Sequence, residues 1–167
     1  MQSPETKTSE APKKLEINSP SPEARTAAIA ALASEFHEEW RDARRSEDGT
    51  YRPRLKSTTD ESWIERHGTD QVDIANTTYA DLPVDWQTEN KAAAEFLVSE
   101  LVTYSEFPDL DDPSIRSEIG EEIHEAWLDR NEWAEGTELD VPFEQLHKDE
   151  QEKDIDQAEI AEEIFSR

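Results

Sequence analysis

Cysteine is absent from this chain of 167 residues, so no disulfide can staple a small fold together, and the expected setting is a reducing cytoplasm. No apolar run approaches the length that spans a bilayer, and no signal-peptide core stands near the start, so no membrane partner is expected. Bases are scarce too: 17 Lys and Arg stand against 42 Asp and Glu, a net charge of -25. The shortage is local. Residues 1–58 hold ten acids and ten bases, whereas 59–167 hold 32 acids and seven bases. A surface of that sign repels nucleic acid at long range, which argues against direct nucleic-acid binding. Also missing is any Ser or Cys nucleophile motif beside the histidines, so no catalytic residue is assigned and no enzyme is expected.

What is present is a repeat. Phe36-His37-Glu38-Glu39-Trp40-Arg41-Asp42 returns as Ile123-His124-Glu125-Ala126-Trp127-Leu128-Asp129, an offset of 87 residues. Further on, Tyr79-x-x-Leu82-x-x-Asp85-Trp86-Gln87-x-Glu89-Asn90 is answered by Phe143-x-x-Leu146-x-x-Asp149-Glu150-Gln151-x-Lys153-Asp154 at an offset of 64, so the first copy carries 23 extra residues between Trp40 and Tyr79. Order and residue type both recur, which points to two copies of one helical unit. With no staple, each copy is too small for an independent core, so an all-α fold is expected in which the two pack as one domain. The expected divisions are a disordered tail over 1–20, a first unit over 21–105 and a second, acidic unit over 112–167.

Punctuation supports this division. Ser21-Pro22 opens a helix toward Arg45 whose core stripe is Ile29, Leu32, Phe36, Trp40 and Ala43. Thr58-Thr59-Asp60-Glu61 fits a capping box for a short helix carrying Trp63 and Ile64, closed by His67-Gly68. Residues 71–78 read as extended. Leu82-Pro83 starts a helix with Trp86, Ala93, Leu97 and Tyr104 on one stripe. Asp112-Pro113 starts another with Ile115, Ile119, Ile123 and Trp127. A last helix over about 144–165 carries Ile155, Ala158, Ala161 and Phe165, and its acidic C-terminal end is expected to fray. The two tryptophans of the repeat are expected to hold the halves together.

The succession His37-x-x-Trp40, Gly49-Thr50-Tyr51-x-x-Arg54-x-Lys56 and Tyr79-x-x-Leu82-Pro83, ending in Glu89-Asn90, resembles the ryanodine-receptor domain over about residues 30–100. A degenerate second copy lies at about 115–165. Thr50 stands where the family has Trp, Pro53 stands near its second Gly, and the His-Pro pair before the Tyr-x-x-Leu step is missing. The resemblance implies a non-enzymatic module: a peripheral interaction element in the large calcium-release channels, a ligand or nucleotide sensor in prokaryotic relatives. Fold alone does not transfer that role.

The extra segment supplies the one basic island, Arg41, Arg44, Arg45, Arg52, Arg54 and Lys56 around Tyr51. Guanidinium forks grip phosphate or carboxylate in paired hydrogen bonds, and a tyrosine ring offers a stacking face, so these seven residues are the candidate site for a small anionic or nucleotide-like ligand. Screening confines a small anion to the field of its nearest arginines, unlike a duplex. The plainer alternative is that the bases neutralise acids of the second half. No metal is expected: Glu121-x-x-His124 has the spacing of a di-iron ligand pair, but Ser34 replaces the matching Glu, and Asp112 serves better as a helix cap than in a calcium loop. No cofactor is assigned. A second functional class, a protein partner, also fits: an acidic decoy displaying carboxylates at phosphate-like spacing to a DNA-binding protein. A halophile's solvated surface is a third reading, against which the neutral first 58 residues weigh.

Overall fold

The computed structural model describes residues 15–16, 21–104 and 106–166. The tail expected over 1–20 lies outside the described residues except for Leu15–Glu16, which forms a short strand, β1. The fold is all-α. Helix α1 spans Pro22–Asp42; Ser21 accepts a hydrogen bond from the Ala24 N–H at its start, and Pro22 occupies the first turn, where no donor is lost. Three-residue strands β2 (Leu55–Ser57) and β3 (Gln71–Asp73) pair antiparallel around the short helix α2 (Glu61–His67). Helices α3 (Val84–Leu101), α4 (Pro113–Arg130) and α5 (Lys148–Ile164) complete the body.

The local signals act through somewhat different residues than expected. Asp60, not Thr58, caps α2 by accepting from the Trp63 N–H, and Thr58 donates its hydroxyl to Asp85. Gly68 ends α2 at φ 73, a left-handed conformation that a side chain would strain. The extended stretch foreseen over 71–78 is only Gln71–Asp73. Asp73 then accepts from the Ala75 N–H and turns the chain into a 3-10 turn, Ile74–Asn76. The last helix starts at Lys148, after a separate 3-10 turn Phe143–Gln145. Its C-terminal end does not fray: Phe165–Ser166 forms strand β4, parallel to β1, and the Phe165 side chain is buried in the main core. A phenylalanine at the helix end has apolar surface to remove from water, which outweighs the acidic body before it.

The four long helices pack reciprocally. α1 lies on α3 and α4 lies on α5, while α1 also meets α5 and α3 meets α4. Thus the first helix of each unit touches the second helix of the other. The shared core joins Leu32, Phe36, Leu97, Leu101, Ile119, Ile123, Ala158 and Phe165 across all four. Positions 87 apart in α1 and α4 match in burial: Leu32 with Ile119, Phe36 with Ile123, His37 with His124. Those 64 apart in and beside α3 and α5 do likewise: Leu82 with Leu146, Ala94 with Ala158, Leu101 with Phe165.

The tryptophans are not the cement. Trp40 and Trp127 are half-buried and neither belongs to this core; Trp40 packs instead against a smaller cluster of Trp63, Val72, Ile74 and Leu82. In each case the buried side belongs to the histidine three residues earlier. Three residues are 60° short of a full helical turn, so once His37 points inward Trp40 lies on the flank. Ala43, on the same expected stripe, is exposed.

Candidate functional site

The histidines anchor a hydrogen-bond pattern that recurs in both units. His37 Nε2 lies 2.7 Å from the Thr77 carbonyl oxygen, and His124 Nε2 lies 3.0 Å from that of Val141, the position 64 residues on. The Gln87 side-chain amide donates to the Tyr79 carbonyl at 2.9 Å; Gln151 donates to Phe143 at 3.0 Å. Each histidine stacks on its tryptophan, His37 on Trp40 at 5.8 Å and His124 on Trp127 at 6.1 Å. Burial holds the His37 pKa below its ordinary value despite the Thr77 carbonyl, so its ring is neutral at pH 7. Glu121, the partner in the di-iron spacing, accepts the Phe143 N–H at 2.6 Å and works as a loop clamp.

The units differ one residue beyond. Asp154 in the second unit faces His124 Nδ1 at 3.8 Å, where the first unit has Asn90. Burial, then the Glu150 charge, pushes the Asp154 pKa up to about 7, against Lys153 and Arg130. Glu122 on α4 is likewise pushed up to about 7, by its hydrogen bond with Glu100 on α3, then burial and the Glu100 charge.

The arginine-rich island is largely spent within its own unit. Arg41 donates to the Ala75 carbonyl at 2.9 Å and to Glu38 at 2.6 Å, and its guanidinium stacks 4.5 Å from the Tyr51 ring centre. Arg44 reaches the carbonyls of Arg52 and Pro53 and lies 5.1 Å over the Trp40 ring. Lys56 lies 5.9 Å over Trp86, whose indole N–H donates to the Ser57 carbonyl at 3.0 Å. Arg45, Arg52 and Arg54 are exposed around the tight turn that Gly49 makes at φ 88, and Arg45 pairs with Tyr51 through the backbone. Asp73 accepts the Arg54 N–H and ties this segment to β3; although burial opposes its charge, the hydrogen bonds from Arg54 and Asn76 keep its pKa low.

A cavity lies elsewhere among the described residues. A cleft of about 720 Å³ opens between α1, α3 and α5, and none of the seven island residues lines it. Its apolar floor is Phe36, Ile74, Leu82 and Ile160; His37, Trp40 and Trp86 form aromatic walls. Five carboxylates line it: Glu39 from α1, Glu89 from α3, and Asp156, Glu159 and Glu163 from α5. The one cation there, Lys153, is held by Glu150 at 3.0 Å. Carboxylate crowding is felt nearby: burial, then the charges of Glu39 and Glu163, raise the pKa of Glu35. Two of the island's bases meet this cleft through its rings, Arg44 over Trp40 and Lys56 over Trp86.

Sequence reasoning missed the cleft because its residues come from three helices spread over more than a hundred positions. The signals that were available are Trp86 at the start of α3 and the carboxylates of α5 at positions 156, 159 and 163, spaced for one helical face. Comparison with protein-family models, with curated proteins and with solved structures gives no match.

Proposed function

We propose that this protein is a non-enzymatic binding module and that the cleft between α1, α3 and α5 is its recognition site, for a cationic group carried on an apolar stem. One observation carries the reading: four aromatic rings, those of Phe36, His37, Trp40 and Trp86, and five carboxylates line a single cavity. Its volume is in the ordinary range for a ligand site. Aromatic faces and carboxylates both favour a cation, the rings through their negative faces and the acids through charge-assisted hydrogen bonds. Glu89 already faces Arg130 at 3.1 Å and Glu159 lies 3.9 Å from Arg116, while an anion entering there would still meet Glu39, Asp156 and Glu163. The ryanodine-receptor resemblance fits a module of this kind. The acidic-decoy reading converges on the same chemistry, since a DNA-binding protein also presents cations; the net charge of -25 favours it as the form the partner takes.

The test is a titration followed by tryptophan fluorescence, since Trp40 and Trp86 line the cleft. A short basic peptide is expected to change the emission, with an effect that weakens as salt is raised and is lost in the Glu159→Gln, Glu163→Gln double variant. ATP is expected to leave it unchanged. A response to ATP that disappears in Arg52→Ala with Arg54→Ala would overturn the cation reading in favour of an anion site on the island.

A further inference from the structure

The two units treat corresponding surfaces differently: one has an arginine, Arg130, where the other has Ala43. At the end of α4, Arg130 bridges to α3: its Nε and one terminal nitrogen approach the two carboxylate oxygens of Glu89, at 3.5 and 3.1 Å, and its other terminal nitrogen donates to the Ala126 carbonyl at 3.3 Å. This ion pair joins the first helix of the second unit to the second helix of the first. The repeat offsets assign each partner a counterpart. Arg130 corresponds to Ala43, 87 residues earlier, and Glu89 corresponds to Lys153, 64 residues later. Ala43 and Lys153 both line the open cleft. Where the second unit seals the junction with its own guanidinium, the first has a methyl group facing a cavity, with Asp156, Glu159 and Glu163 on the adjoining turns of α5.

We infer that the cleft receives the guanidinium of an arginine side chain from a basic protein partner, in the place that Arg130 fills in the other unit. This deepens the function proposed above and rests on it. Arginine suits the position better than lysine for geometric reasons. A planar fork takes a carboxylate through two hydrogen bonds while turning a third donor to a helix-end carbonyl, as Arg130 does. The carbonyl corresponding to that of Ala126 is Glu39's, at the cleft-lining end of α1. Trp40 and Trp86 supply rings for the flat face and the stem. A protein source is favoured over a free guanidine because acidic residues extend well beyond the cleft along α4 and α5, where they attract a partner of extended positive charge. Lys153 is the discordant group, and its ammonium is turned to Glu150 rather than left facing an incoming cation.

Isothermal titration of the full chain with a blocked arginine-rich peptide, its lysine counterpart and agmatine tests this, with melting curves to establish that each variant is folded. The arginine peptide is expected to bind at one site, about tenfold or more tighter than the lysine peptide and than agmatine, the scale of one charge-assisted hydrogen bond. Ala43→Arg places a guanidinium in the cleft from within and is expected to abolish the binding. Lys153→Glu restores the charge found at Glu89 and is expected to tighten it. Equal affinity for the two peptides, or binding unaffected by Ala43→Arg, would overturn the arginine inference and leave the cation reading standing. Agmatine binding as tightly as the arginine peptide would overturn the protein partner. No binding of any of the three would overturn both readings.

Discussion

Single residues carry much of what distinguishes the two halves. Gly120 is packed against Phe143 so closely that a Cβ would lie 2.4 Å from the ring's Cζ. Phe143 is itself buried and has nowhere to retreat. Gly120→Ala gains about 1 kcal/mol of helix propensity but forces the ring aside, an overpacking of about 1–3 kcal/mol, so the variant is expected to melt lower and to be rescued by Phe143→Leu. Asp154 sets a pH dependence. Its folded pKa of about 7 lies above the ordinary aspartate value, so folding takes up a proton. The stabilisation linked to that proton is complete below about pH 4 and lost as pH rises through about 7. Asp154→Asn, the residue the first unit uses at Asn90, is expected to melt higher than the parent at pH 8, with the difference vanishing near pH 4. Glu122 contributes in the same sense through its pair with Glu100. His37, with its lowered pKa, opposes them because stability linked to it falls below about pH 6.5. Comparing variant with parent cancels that common background.

At the scale of elements, sequence signals were strong wherever the cause is local. Ser21-Pro22, Asp112-Pro113 and Gly68 mark helix ends in the structure because a cap or a left-handed turn is satisfied within a few residues. Stripes were legible to within one helical position. The core side of α1 runs through Ala28, Leu32, Ala33, Phe36 and His37 rather than through Trp40 and Ala43, since a buried histidine with a carbonyl partner competes for the inward direction. The fate of α5 was the least legible, because what fixes its end comes from elsewhere in the chain. Phe165 is 1% exposed and belongs to the central cluster. Phe165→Ala is therefore expected to destabilise the whole fold by about 3–5 kcal/mol in denaturant titration, where a frayed end would give almost nothing. The basic island shows the same division between local and distant causes. Its composition fits either an anion site or pairing within the chain; carbonyls and aromatic faces close by occupy Arg41 and Arg44 while Arg45, Arg52 and Arg54 stay exposed, whereas the cleft needs three helices to assemble.

For the whole molecule, the uneven charge and the repeat belong to one arrangement. Reciprocal packing of two units makes two comparable junctions between a first helix and a second helix. One is closed by Arg130 and Glu89; the other holds a cleft with aromatic walls and acidic edges. The insert that exists only in the first unit touches those walls through Arg44 on Trp40 and Lys56 on Trp86. The most direct measurement of the central claim is a map of backbone amide shifts in an isotope-labelled sample during titration with the arginine-rich peptide. Shifts are expected to concentrate at residues 36–43, 86–90 and 153–163, the segments that line the cleft. Shifts centred instead on residues 44–56, or spread evenly over the acidic surface of α4 and α5, would contradict it.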